Sequence, residues 1–123
     1  MTPETRAEAA AWIAKARMDL RAARADLHAV PPITGDSLFH CQQAVEKALK
    51  GFLAAHEGRL QKTHDLETLS LQCAEIAPHL ESTLRGAYFL TTFASEFRYP
   101  GDVTEPGVEE ANTGLAIASE VVE

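Results

Sequence analysis

The sequence has few cysteines and no long apolar run. Only two of its 123 residues are cysteines, Cys41 and Cys73, and they do not form a C-x-x-C pair. Disulfide scaffolds of secreted proteins contain far more cysteine. No segment approaches the ~20 consecutive apolar residues of a membrane-spanning helix, and the opening MTPETRAEAAAW lacks the basic-then-apolar order of a signal peptide. We therefore expect a soluble, cytoplasmic protein in which both thiols are reduced and buried.

Several familiar signatures of enzymes and of strands are also missing. The sequence contains no glycine-rich phosphate loop, no G-x-S-x-G motif and no zinc-ligand spacing of cysteine and histidine. It also has no run in which apolar and polar residues alternate, which is the pattern of a half-buried strand. The sequence thus predicts an all-α protein with no cofactor and no metal site.

Positive charge is scarce and localised. The chain has 11 Lys and Arg against 18 Asp and Glu, a net charge of -7, so the phosphate backbone of DNA or RNA repels it as a whole. Residues 101–123 contain no Lys or Arg, whereas residues 40–64 contain four cations, two anions and three of the five histidines. These numbers argue against general DNA binding and leave one local basic patch.

Length and hydrophobic spacing predict a single helical domain over residues 1–123. A chain of this size buries enough apolar surface for one core, and its apolar residues recur mainly at three- and four-residue spacings. The turn residues between them divide the chain into an antiparallel bundle of four main helices and one short helix. The predicted helices run from Pro3 to Ala29, from Asp36 or Ser37 to a Gly58 cap, from Thr63 or Asp65 to Pro78, from His79 to Phe97, and from Pro106 to Val122.

Four short motifs are spread over almost the whole chain. They are W-x-x-x-A-x-x-D-L at Trp12–Leu20, Q-Q-A-x-E-K-x-L-K at Gln42–Lys50, K-T-H-D-L at Lys62–Leu66 and R-Y-P-G at Arg98–Gly101. In this order they resemble the HEPN domain (higher eukaryotes and prokaryotes nucleotide-binding) in its short prokaryotic form. The resemblance implies a helical bundle that forms a homodimer and acts with a minimal nucleotidyltransferase protein in a toxin–antitoxin-type pair.

The second motif places Lys47 and Lys50 on one polar face of a helix, together with Gln43 and Glu46. One interpretation is a solvated face in which Glu46 and Lys50 form an i,i+4 pair. The resemblance favours the other interpretation, in which this polar face points into a groove shared by two subunits and binds a ligand.

The third and fourth motifs add further candidates for binding a nucleotide or RNA. Lys62 and His64 stand at a predicted helix start, where backbone N–H groups attract a phosphate, although Thr63 and Asp65 also fit purely local capping roles. Arg98 suits bidentate phosphate recognition and Tyr99 suits base stacking, although the same residues fit a helix stop. The predicted nucleotide- or RNA-binding residues are Lys47, Lys50, Lys62, His64, Arg98 and Tyr99.

An alternative function is metal-independent RNA cleavage. Arg59 and His64 match the Arg-x4-His pattern of ribonucleases of this family, with His64 as general acid or base and Arg59 on the scissile phosphate. The family pattern permits four to six residues between the Arg and the His, and chance alone produces about 0.9 matches to it in a chain of this composition. Leu60 and Leu66 also replace the polar residue and the tyrosine that the pattern has there. The binding function therefore leads, and a dimeric adaptor without a ligand is the third hypothesis.

Overall fold

The computed structural model describes residues 2–56, 62–94 and 106–123 of the chain. Within these residues there are five α-helices, two 3-10 segments and no strand. The all-α bundle is therefore confirmed. The α-helices are α1 (Pro3–His28), α2 (Thr34–Ala55), α3 (Leu66–Ile76), α4 (Glu81–Arg85) and α5 (Val108–Val122), and the 3-10 segments are Pro78–Leu80 and Tyr88–Ala94.

The α1–α2 pair is the largest helix contact of the molecule. α1 is rich in alanine and buries Ala16, Leu20 and Ala23 against α2. At the other end of the contact, a Cβ built on Gly51 of α2 would lie 3.0 Å from Trp12 Cβ. Small side chains on both helices thus allow their backbones to approach closely. As a result α2 is buried along most of its length and forms the centre of the bundle.

The start of α2 differs from the prediction. The helix begins at Thr34, and neither Asp36 nor Ser37 caps it. The Ser37 hydroxyl instead donates to the carbonyl of Ala23 in α1 at 2.9 Å, and Thr34 donates to the carbonyl of Pro106 at 2.6 Å. These hydroxyl groups therefore donate to carbonyl groups in other parts of the chain, although local sequence rules assign serine and threonine hydroxyls to helix capping. α2 ends at Ala55, and its predicted cap Gly58 lies outside the described residues.

The third predicted helix is confirmed at both ends. Asp65 is the N-cap of α3, where its side chain accepts from the N–H of Glu67, and the helix stops at Ile76, just before Pro78. The side chain of its last residue, Ile76, is 41% exposed.

The predicted fourth helix, from His79 to Phe97, is not a single helix in the part that the structure describes. A five-residue α4 is followed by the 3-10 segment Tyr88–Ala94, and residues 95–97 lie outside the described residues. The buried side chains here recur every third residue, which is the repeat of a 3-10 helix and not of an α-helix. They are Leu84, Ala87, Leu90 and Phe93.

α5 buries a face that includes a glycine. Ala111, Ala118 and Val122 are buried, whereas Val108 is 47% exposed. Gly114 also lies on the buried face, where an added Cβ would lie 2.4 Å from Leu38 Cδ2. Leu38 is fully buried in α2, so α5 approaches α2 at a position that accommodates only a hydrogen.

Both cysteines are free and buried. Burial raises the pKa of each thiol to about 12, so neither reacts readily as a thiolate. None of the helices in the described residues has the length and apolar character needed to cross a membrane.

Replacing Gly114 by valine should destabilise the protein. The branched side chain would overlap Leu38 and Leu90, and overpacking of this kind costs about 1–3 kcal/mol. We expect the urea midpoint of Gly114→Val to fall accordingly. Gly86→Val is the control, because Gly86 is exposed with φ -62° and its stability should change by only about 0.5 kcal/mol. Equal losses in the two variants would contradict the close approach of α5 to α2.

Candidate functional site

Glu46 is a charged residue in the interior of the protein. It lies in the middle of α2 and is only 4% exposed. Three side chains satisfy its carboxylate. Lys50 Nζ is 2.9 Å from Oε2, and His64 Nδ1 and Gln42 Nε2 are 2.7 and 3.0 Å from Oε1. A buried carboxylate with this many donors is stable as an anion.

The surroundings of Glu46 act on its pKa in opposite directions. Burial by itself raises the pKa, because it disfavours the charged form. Hydrogen bonds from His64, Gln42 and Lys50, with the positive charge of Lys50, outweigh burial and hold the pKa of Glu46 below its ordinary value. Glu46 is therefore ionised at neutral pH.

Gln42 connects Glu46 to the segment that precedes α3. Its Nε2 donates both to Glu46 and to the backbone carbonyl of His64 at 3.2 Å, and its Oε1 accepts from Gln43 at 2.7 Å. Gln42 is fully buried. It therefore fixes the backbone position of His64 while Glu46 fixes the orientation of the ring.

Lys50 is 9% exposed and its ammonium is paired with Glu46. The same ammonium lies 5.7 Å from the centre of the Trp12 ring, a cation–π distance. The i,i+4 pair expected for a solvated face is thus present, but it is buried. Lys50 serves the internal network, and its charge is already compensated within the protein.

Lys47 is also paired, with a residue of the first motif. Its Nζ lies 2.5 Å from Asp19 Oδ2 in α1, and the other oxygen of Asp19 accepts from His40 Nδ1 at 2.9 Å. The polar stripe of α2 therefore contacts α1, and both of its lysines have acidic partners.

His64 is the member of the network that reaches solvent. Its side chain is 68% exposed although its partner Glu46 is buried. A carboxylate only accepts hydrogen bonds, so Nδ1 carries the hydrogen, and Nε2 of the neutral ring has a free lone pair. The arrangement gives an oriented imidazole that can accept a proton or a hydrogen bond from a ligand.

Of the remaining predicted residues, the structure describes Lys62. Lys62 is exposed, two residues before His64. Thr63 accepts from the N–H of Asp65 at 3.0 Å, and Asp65 caps α3, so the local capping roles are filled. Arg59, Arg98 and Tyr99 lie outside the described residues. Of the predicted binding residues, the structure joins Lys50 and His64 through Glu46 and holds Lys47 in a separate pair.

Sequence analysis paired Glu46 with Lys50 but did not identify Gln42 and His64 as further donors to Glu46. Glu46 and Gln42 are four residues apart, as are Glu46 and Lys50, and this ladder of spacings was the available signal. The contribution of Trp12 and Asp19 from α1 had no local signal, since Asp19 and Lys47 are 28 residues apart.

Comparison with known proteins gives one match. The family model of the HEPN domain matches residues 9–123. Searches among curated proteins and among solved structures found no match.

Replacing Glu46 by glutamine should destabilise the protein strongly. The variant retains the shape of the side chain but leaves the buried ammonium of Lys50 without a counterion, which costs about 3 kcal/mol. The matched control is Glu81→Gln, which breaks the i,i+4 pair with Arg85 where both side chains are more than half exposed. That change should cost at most about 1 kcal/mol. Urea unfolding at pH 7 measures both, and similar losses would contradict the buried network.

Glu46 should also make stability depend on pH. Because its pKa is lower in the folded state, its contribution is fully present above the ordinary value of 4.5 and is lost as the pH falls below it. The free energy of unfolding of wild type should therefore decrease from pH 5 to pH 3. Over the same interval Glu46→Gln should show a shallower decrease, and parallel curves would contradict the lowered pKa.

Proposed function

The chain belongs to the HEPN domain family, and on that basis we propose that it binds a nucleotide or an RNA segment at His64. In this proposal it acts with a minimal nucleotidyltransferase in a toxin–antitoxin-type pair in the cytoplasm. The observation that carries the site is the exposed imidazole of His64, held by the buried carboxylate of Glu46 at 2.7 Å. A ring fixed from behind presents Nε2 to a ligand with little loss of side-chain entropy.

The roles of the positive residues follow from their pairing. Lys62 is exposed and lies two residues before His64 along the chain, which suits contact with a phosphate. Lys47 and Lys50 are engaged with Asp19 and Glu46, so they support the site by positioning these acceptors. In the proposed site, Arg98 and Tyr99 complete the phosphate and base contacts.

The partners follow from the family and from the distribution of charge. A homodimer would place the exposed His64 surfaces of its two subunits in one groove. The groove would then combine the cations of both subunits, which compensates for the small number on each. α5 has acidic residues and no Lys or Arg, so it suits a basic surface of the nucleotidyltransferase. An acidic chain with a small cationic site contacts few phosphates, and its affinity should depend weakly on salt.

RNA cleavage is the second candidate, and the Glu46–His64 pair favours it. A carboxylate that holds Nδ1 and leaves Nε2 free is the arrangement that general-base histidines require. In this candidate His64 moves the proton of the attacking 2′-hydroxyl and Arg59 stabilises the charge on the scissile phosphate. No metal ion is needed for these steps.

Binding of the ligand should weaken when the side chain of His64 or of Lys62 is removed. Titration of labelled single-stranded RNA and of ATP into His64→Ala and Lys62→Ala should show losses of about 1.5–3 kcal/mol each, the range for hydrogen bonds to charged groups. His79→Ala and Lys15→Ala are matched controls, since both residues are exposed and outside the proposed site. Equal affinity in all five proteins would overturn the site.

Two further measurements separate the candidates. Cleavage of RNA in EDTA by wild type, lost in His64→Ala and retained in His79→Ala, would establish the enzyme in place of the binder. Co-purification with a co-expressed minimal nucleotidyltransferase, without cleavage, is the result expected for the partner protein. An adaptor without a ligand would show co-purification but no affinity for RNA or ATP.

A further inference from the structure

Three potential metal-binding side chains meet where α1 ends and α2 begins. Asp26 lies in the last turns of α1, Asp36 in the first turn of α2, and His40 one turn further along α2. One ligand atom from each lies within 4.8 Å of the other two. The cluster is separate from Glu46 and His64 and has no part in the proposed function.

The histidine of this cluster has a defined orientation. Asp19 accepts from His40 Nδ1 at 2.9 Å, and Lys47 holds the second oxygen of Asp19. His40 Nε2 therefore points into the cluster, 3.4 Å from Asp36 Oδ2. A carboxylate on one ring nitrogen that directs the other nitrogen at a metal is a common arrangement around protein metal ions.

One carboxylate oxygen of the cluster has no partner within the described residues. Asp26 Oδ2 is buried and has no hydrogen-bond partner there. Asp26 also lies near the C-terminal end of α1, where the helix dipole disfavours a negative charge. A buried, unpaired carboxylate oxygen at that position is costly unless a proton or a cation neutralises it.

We propose that Asp26, Asp36 and His40 bind one divalent first-row metal ion of the Zn²⁺ type. One imidazole nitrogen and two carboxylate oxygens are ligands that Zn²⁺, Co²⁺ and Ni²⁺ accept, whereas Mg²⁺ and Ca²⁺ prefer oxygen alone. Metal–ligand bonds are about 2.0–2.2 Å long, so small side-chain rotations bring the three atoms into range. Three protein ligands leave a position for water.

The bound ion would connect two helices at their turn. It would tie the end of α1 to the start of α2 and compensate the charges of Asp26 and Asp36 together. Sequence analysis predicts no metal site, because the three ligands come from two helices and have no zinc-motif spacing. Their proximity depends on the antiparallel packing of α1 and α2.

The test is a calorimetric titration of Zn²⁺ into protein that has been stripped of metal with EDTA and then desalted. Wild type should bind one equivalent and melt at a higher temperature with Zn²⁺ than without it. Asp36→Asn and His40→Gln should each weaken binding at least about tenfold, as expected when a metal site loses a ligand or its support. Asp36 is 46% exposed, so the folding of Asp36→Asn is expected to be retained and is checked by circular dichroism.

Controls and a spectroscopic probe make the outcome specific. Glu81→Gln and His79→Gln remove an exposed carboxylate and an exposed imidazole elsewhere, and both should bind Zn²⁺ as wild type does. Co²⁺ should give visible absorption bands in wild type that change in His40→Gln. The proposal is overturned if no saturable binding occurs, or if His40→Gln and His79→Gln bind Zn²⁺ with equal affinity.

Discussion

The buried negative charge of Glu46 is the constraint on which the arrangement around α2 depends. An ionised carboxylate that is 4% exposed must be surrounded by donors, and these donors come from two parts of the chain. Lys50 and Gln42 belong to α2 itself, whereas His64 belongs to the segment before α3. The pairing thus neutralises a charge in the core, joins α2 to α3 and orients the imidazole that we assign to ligand binding. Removing one partner leaves an uncompensated charge inside the protein, which is why the network is expected to act as a unit.

The close packing of α1 on α2 determines how the other charges are paired. Alanine in α1 and Gly51 in α2 bring the backbones together. Trp12 then lies over Lys50, and Asp19 reaches both Lys47 and His40. The same antiparallel turn brings Asp26 next to Asp36. Small residues that contribute no chemistry of their own therefore place the reactive side chains of two helices in contact.

Ion pairs also reduce the number of free cations in the basic patch of residues 40–64. A count of charges along the sequence treats Lys47 and Lys50 as free, but each has an acidic partner within 3 Å. The groups left exposed in the described part of the patch are Lys62, His64 and His56, and the ring of His56 packs against Phe52. A ligand would thus meet a small site around one oriented imidazole. This suits recognition of one or two phosphates better than broad attraction of a polyanion.

The sequence by itself determined the fold class, the identity of α1, α2, α3 and α5, and the family, because hydrophobic spacing, proline positions and four separated motifs are local properties of the chain. It also supplied His64 and the Glu46–Lys50 spacing. Only the tertiary structure decided which of these groups is buried, since i,i+4 spacing is the same on a solvated face and in a core. The tertiary structure likewise supplied the partners that lie far away in sequence, Asp19 for Lys47 and Glu46 for His64. It divided the predicted fourth helix into α4 and a 3-10 segment. The buried side chains from Leu84 to Phe93 recur every third residue, which is the 3-10 repeat, and the aromatic residues and threonines of this segment are weaker α-helix formers than alanine or leucine.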